Sequence, residues 1–265
     1  MTADRTPKNP AGLRDLPFAV PSVHASKKKR ALRIYDALRD RYPDSKCALH
    51  FSNAHELLIA TILSAQSTDV GVNKATPGLF AKFKTPKDYA ASTPEKIEPY
   101  VKTIGLFRNK SKAIHSAMNT LVEDFGGEVP RTMDELLTLR GVARKTANVV
   151  LGNAFGINMG IVVDTHVDRV SRRFGLVPDD VTLPMAERHL IATFPRESWA
   201  QLSHLLIDHG RAVCKARGEL CAGDDICREF CSNAKAGNAG TLKKATKKKT
   251  TKKKRLKKKT PRSGR

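Results

Sequence analysis

The sequence predicts an all-helical core followed by a solvated basic tail. Three observations carry this reading: apolar residues recur at spacings of three and four, helix-start signals repeat along the chain, and strand signals are weak throughout. Aromatic residues make up only 6% of a chain that is 40% apolar, as in helical proteins packed from small side chains. A length of 265 residues suffices for one or two such cores.

The leader, residues 1–26, is rich in Pro, Thr and charge without periodicity and reads as flexible. From Ala31 to Tyr42 the residues Ala31, Ile34, Tyr35 and Leu38 line one face of a helix, which Pro43 ends. Thr85 before Pro86, Thr93 before Pro94, and Thr132 with Glu135 mark further helix starts, because a hydroxyl caps free amides and proline fits the first turn. Gly126-Gly127 followed by Pro130 separates two helical blocks. The run from Lys243 to Lys259 is too charged and too poor in apolar residues to pack, so residues 233–265 are predicted to be a disordered Lys-rich tail.

The formal charge is +22, and fifteen Lys or Arg without one acidic residue lie between Lys235 and Arg265, leaving about +7 on the rest. A polyanion is the implied partner. A lipid surface would hold this tail by charge alone, since it has almost no apolar residues to insert, and nucleic acid fits better. The tail is expected to add salt-sensitive affinity without sequence specificity, the alternative being a solvated segment that only aids solubility. No run approaches the ~18 apolar residues of a membrane span, and the start lacks the apolar stretch of a secretory signal. A soluble protein of a reducing compartment is expected.

The segment from Leu136 through Arg140, Gly141, Val142, Ala143, Arg144 and Lys145 to Asn148 reads as a helix end, a tight turn and a new helix start, where outward amides form an anion site. Nineteen residues beyond Lys145, the run Ile161-Val162-Val163 ends in Asp164 at another helix start. Together these segments resemble the helix-hairpin-helix motif and the aspartate-bearing loop of the endonuclease III family of DNA glycosylases. The segments from Leu63 to Asp69 and from Val72 to Thr76 are similar to the family's early helices, and the likeness extends from about Ala31 to Cys231. The family hairpin usually reads Leu-Pro-Gly-Val-Gly, whereas Arg140 and Ala143 stand here for Pro and the second Gly. The added methyl is expected to crowd a phosphate or to disfavour a positive φ, with Arg140 compensating by its charge.

The resemblance implies two helical domains with a cleft between them: a bundle with the hairpin over residues 47–157, and a discontinuous domain of residues 27–46 plus 158–232 that carries the cysteines. It implies a bifunctional DNA glycosylase and AP lyase of base excision repair, acting as a monomer on double-stranded DNA with oxidised pyrimidines or abasic sites. The working place is the bacterial nucleoid or, in a eukaryote, the nucleus. Lys145 is then the catalytic amine, attacking C1′ and forming a Schiff base before strand cleavage by β-elimination, and the helix start and Arg144 favour the neutral amine this needs. Asp164 stabilises charge on the sugar. Read singly, Lys145 is also a surface lysine that contacts phosphate, and Asp164 also a plain helix cap. The hairpin residues Arg140, Gly141, Val142, Ala143 and Arg144 are expected to contact DNA, while Gln66 and Leu106 fill the gap left by a flipped base. His166 and Asp168 are assigned no catalytic part.

Four of five cysteines, Cys214, Cys221, Cys227 and Cys231, fall within eighteen residues, which in a reducing compartment argues for metal over disulfides. Four thiolates hold either zinc or an iron-sulfur cluster, and counting does not decide between them. The resemblance implies a [4Fe-4S] cluster. The gaps here are six, five and three residues against a family pattern of six, two and five, with Asp224 at the place of the third cysteine. Cys47 is isolated and reads as filler. Two competitors remain: an adenine-excising relative, which lacks the hairpin lysine, and a non-catalytic DNA-binding or nucleoid protein on the same fold.

Overall fold

The computed structural model describes residues 9–217 and 221–231. The Lys-rich tail lies outside them. Among the described residues there are twelve α-helices, two short 3-10 turns and no strand, so the all-helical expectation holds. Helix α1 (Ala25–Arg41) buries Ala31, Ile34 and Leu38, the stripe that the spacing marked.

A first core gathers α2 (Ala54–Ser64), α3 (Asp69–Lys82), α4 (Pro86–Ala90), α5 (Pro94–Val101), α6 (Phe107–Asp124), α7 (Met133–Thr138) and α8 (Arg144–Ala154) around an apolar cluster from Leu49 to Leu151. Helix α2 is its axis, with Leu57, Leu58, Ile59, Ile62 and Leu63 all buried. At roughly 1.5–3 kcal/mol for each such side chain, burial of α2 contributes about 10 kcal/mol before the entropy of ordering is charged. The threonine signals act as caps. Thr85 and Asp88 close a capping box at α4, and Thr132 accepts the Glu135 amide at α7. Thr93 precedes α5 without a side-chain cap bond.

A second core joins α1 to α9 (Thr165–Arg173), α10 (Leu183–Thr193), α11 (Trp199–Ala212) and α12 (Asp225–Phe230), with Ile34, Leu38, Phe174, Trp199 and Leu205 at its centre. Helices α8 and α11 tie the two cores together. A Cβ on Gly152 would lie 3.1 Å from the Cβ of Ala200, so the backbones approach closely there. His204 Nε2 meets Asn153 Oδ1 at 2.7 Å, and Asn158 Oδ1 accepts the Ala200 amide at 3.2 Å. Ser45, in the linker after α1, donates to Asp208 at 2.6 Å and accepts Gln201 on its carbonyl at 3.0 Å.

The leader departs from expectation. From Asn9 onward it is a packed strap rather than a flexible segment, with Leu16 only 2% exposed in the second core. The Asn9 side chain clasps it, donating to the carbonyls of Leu13 and Phe18 at 3.1 and 2.8 Å and accepting the Val20 amide at 3.0 Å. A strap held by isolated side-chain contacts has no period, which is why pattern reading passes over it. No helix among the described residues is long and apolar enough to cross a membrane.

Candidate active site and cysteine cluster

Residues 139–143 join α7 to α8 in a tight turn closed by the Val142 amide on the Leu139 carbonyl at 3.1 Å. Gly141 is required twice over: its φ is +86°, and a Cβ there would lie 3.1 Å from Ala113 Cβ. Val142 is buried beneath the turn, while Arg140 and Ala143 are exposed. Ala143 does not adopt the positive φ expected of the family's second glycine. Its φ of −104° and ψ of 171° are ordinary extended backbone, so the methyl strains nothing. No side chain caps α8, and the first amide bonded within the helix is that of Ala147, so the amides of the first turn are left for an anion.

Lys145, the second residue of α8, is exposed at this helix start. Its neighbour Arg144 turns inward. The Arg144 guanidinium donates to the Met159 carbonyl at 3.0 Å and to Glu187 Oε1 at 3.1 Å, and Asn148 adds a third donor to that oxygen region at 3.3 Å. With exposures of 29% and 13%, the Arg144 and Glu187 side chains are shielded enough that salt screens the pair only weakly. Gly160 packs directly on this group: a Cβ there would come within 2.2 Å of Glu187 Oε1 and 2.9 Å of Arg144 Nη2. Arg144, expected among the DNA contacts and as a second cation beside the amine, is in the structure a strut between α8 and the loop that leads to Asp164.

Asp164 is the N-cap of α9, and its Oδ1 accepts the amides of His166 and Val167, each at 2.8 Å. No hydrogen bond among the described residues reaches Oδ2, which leaves one carboxylate oxygen for chemistry on a half-buried side chain. His166 and Asp168 have structural work: His166 meets Arg169 at 3.1 Å and backs onto Gly210, and Asp168 pairs with Arg172 at 2.8 Å.

Among the described residues, the only two non-glycine residues with positive φ are Gln66 at 55° and Leu106 at 60°. Both are exposed, Leu106 at 59%, which is an unusual place for a large apolar side chain as well as an unusual backbone for one. Sequence reading missed the residue that joins them. Lys110, 6% exposed, donates to the Leu63 carbonyl at 2.8 Å and to Ser67 Oγ at 2.9 Å, bridging the start of α6 to the loop that carries Gln66. Burial lowers the pKa of its ammonium. A signal was present, since Lys110 sits on the same helical face as Phe107, Ile114 and Leu121.

The four clustered cysteines are all buried, at 0–5% exposure, and none is in a disulfide. Helix α12 absorbs the irregular spacing by placing Cys227 and Cys231 one turn apart, with the Cys231 amide on the Cys227 carbonyl at 2.8 Å. The Cys221 and Cys227 thiols share a hydrogen bond. Burial pushes both thiols up, Cys227 furthest, and the neighbouring cysteines add to the shift. Arg173 donates to Cys214 Sγ at 3.2 Å, and His209 Nε2 lies 3.3 Å from Cys227 Sγ. His209, Asp224 and Cys227 also present ligand atoms within 4.8 Å of one another. Asp224, however, is committed: it caps α12 at 2.8 Å and pairs with Arg41 at 3.0 Å. Of that group, Asp224 is thus already engaged, while His209 and Arg173 lie against the sulfurs of Cys227 and Cys214. Cys47 stands apart, half-buried against the first core.

Residues 59–196 match the family described as HhH-GPD superfamily base excision DNA repair protein. The endonuclease III of Synechocystis sp. is 48% identical over 213 residues, covering 80% of this chain and 96% of that protein. This chain belongs to the endonuclease III family. The endonuclease III of Bacillus subtilis is 45% identical over 205 residues, covering 76% of this chain and 93% of that protein. Among solved structures of the family, a trapped endonuclease III–DNA covalent intermediate matches with a TM-score of 0.74 at 42% identity, over 79% of this chain and 97% of that one. The endonuclease III resemblance read from the hairpin and the Asp164 segment thus holds over most of the sequence.

The hairpin geometry yields a paired test. Gly141→Ala is expected to cost about 1–3 kcal/mol, because it combines a positive φ with a close contact, and to weaken DNA binding. Ala143→Gly, at extended backbone, should leave DNA affinity within about twofold, since Gly at such a flanking position costs only a few tenths of a kcal/mol. Denaturant melts and binding titrations check both.

Proposed function

We propose that this chain is a bifunctional DNA glycosylase and AP lyase of base excision repair, acting on double-stranded DNA that carries oxidised pyrimidines or abasic sites. The observation that carries the reading is the exposed Lys145 amine on the first turn of the hairpin's second helix, beside an Arg144 strut bonded to the loop that leads to Asp164. The solved endonuclease III covalently trapped on DNA and the non-covalent endonuclease III–DNA complex support it by family membership.

The chemistry then follows from the side chains. Neutral Lys145 Nζ attacks C1′ of the flipped nucleotide, the N-glycosidic bond breaks, and the base leaves with the bonding electron pair and gains a proton. Opening of the sugar ring gives the Lys145 Schiff base. Loss of a C2′ proton then expels the 3′ phosphate and cuts the strand. The free Oδ2 of Asp164 faces the positive charge that develops on the sugar, while Oδ1 stays bound to the α9 amides. The uncapped amides at the start of α8, with Arg140 beside them, receive a backbone phosphate. Gln66 and Leu106, held in left-handed backbone and braced by Lys110, occupy the gap in the stack. The Lys-rich tail adds phosphate contacts that salt weakens.

Cys214, Cys221, Cys227 and Cys231 hold a [4Fe-4S] cluster in this reading. When bound, it supplies covalent cross-links that fasten α12 and the end of α11 together. Arg169 and Arg173, both on the helix that Asp164 caps, reach the Cys214 carbonyl and Cys214 Sγ at 2.9 and 3.2 Å. The cluster thus steadies the helix behind the carboxylate rather than taking part in a step.

Lys145→Ala is expected to abolish both borohydride trapping and cleavage of a duplex with one abasic site while the protein still binds it. Trapping that persists in the variant would refute the assignment, and a wild-type protein that binds without cutting would leave a non-catalytic DNA-binding protein. For the cysteines, freshly purified protein should be brown with a broad visible absorbance, and removal of its iron should lower Tm. Colourless protein with one zinc per chain would contradict the cluster.

A further inference from the structure

The N-terminal strap reaches the Arg144 strut from outside. Two guanidinium groups lie over the Phe18 ring, Arg144 Cζ at 4.8 Å and Arg188 Cζ at 4.7 Å from its centroid. The negative faces of the ring attract both cations and so relieve the repulsion that would otherwise push Arg188 away from Arg144. The strap's second anchor is Asp15, whose two oxygens accept Arg196 Nη1 and Nη2 at 2.8 and 2.7 Å. The same guanidinium donates from Nε to the Asn158 carbonyl at 2.7 Å and lies 3.1 Å from Met159 Sδ. Between the anchors, buried Leu16 pins the strap into the second core.

Each anchor therefore reaches residues 158–160 through an arginine, Asp15 through Arg196 and Phe18 through Arg144, which donates to the Met159 carbonyl and against which Gly160 packs. A strap that served stability alone has no need to converge on one short loop. Residues 158–160 lie within the connection between the helix of Lys145 and the helix capped by Asp164.

We infer that the N-terminal strap is a positioning element of the active site, in which Phe18 acts through Arg144 to fix Lys145 relative to Asp164 without touching DNA. The inference rests on the proposed roles of Lys145 and Asp164. It makes Phe18 a residue that governs the chemical step and leaves substrate affinity alone.

The test uses the full chain with Phe18→Leu, which keeps apolar volume but removes the ring, and Phe18→Tyr, which restores a ring. Three quantities are measured: the single-turnover rate of cleavage at one abasic site, Kd for the same duplex with a chemically reduced abasic site, and Tm. Phe18→Leu is expected to slow the chemical step by about tenfold, since small misplacements of reacting groups carry large rate costs, with Kd within about twofold of wild type. Phe18→Tyr should recover the wild-type rate. A Phe18→Leu rate equal to wild type, or a rate loss that Phe18→Tyr does not recover, would overturn the inference while trapping at Lys145 stands. A wild-type protein that forms no trappable adduct would remove the proposed function and this inference together.

Discussion

The geometry of the site depends on the Arg144–Glu187 ion pair and its bond to the Met159 carbonyl. It joins three elements: the start of α8, the loop of residues 158–160, and α10. A partly buried charge pair is a demanding connection, because either partner left alone in that place would be desolvated without compensation. The demand is met by saturating the pair, with Asn148 on Glu187, a carbonyl on Arg144 and the Phe18 ring over the guanidinium. Gly160 is part of the same solution, since any side chain there would occupy the space of the pair. An exposed lysine is ordinarily mobile, but here its backbone is held on the inner side by its own neighbour.

The carboxylate is held by a different route. Asp164 begins α9, and the far end of that helix is fastened to the cysteine loop by Arg169 and Arg173. Helix α1 then clamps α12 from outside: Arg30 donates to the carbonyls of Phe174 and Phe230 at 2.7 and 2.6 Å, Arg33 pairs with Glu229, and Arg41 pairs with Asp224 and Asp225. Three arginines of α1 are thus engaged by groups of the protein itself, Arg33 and Arg41 from exposed positions. Buried His209 sits between Tyr42 and Cys227, its burial favouring the neutral ring that can donate one N–H to sulfur while accepting from the tyrosine. Lys145 is thus held through the ion pair and Asp164 through α9, and the Arg144 bond to the Met159 carbonyl connects the two.

The legible parts of the sequence were those written in local chemistry. Gly141 between two helical patterns announced a turn and Asp164 before Thr165 announced a cap, each within a short window. Long-range partners were not legible. Nothing near Arg144 in sequence says that Glu187 will meet it, and the strap lies more than a hundred residues from the groups it grips. Gln66 and Leu106 were picked out by resemblance alone, because their left-handed backbone is invisible where no glycine or asparagine marks it. The last of the altered cysteine gaps is a helical turn of α12, and Asp224, at the place of the family's third cysteine, is that helix's cap.

The central claim is that one particular amine, held at the start of α8, becomes bonded to the sugar. Borohydride reduction of the complex with an abasic duplex, nuclease and protease digestion, and mass spectrometry of the peptides locate that bond directly. The account predicts a single deoxyribose-derived adduct on Lys145. An adduct on the N-terminal amine or spread over the surface lysines, with Lys145 unmodified, would contradict it.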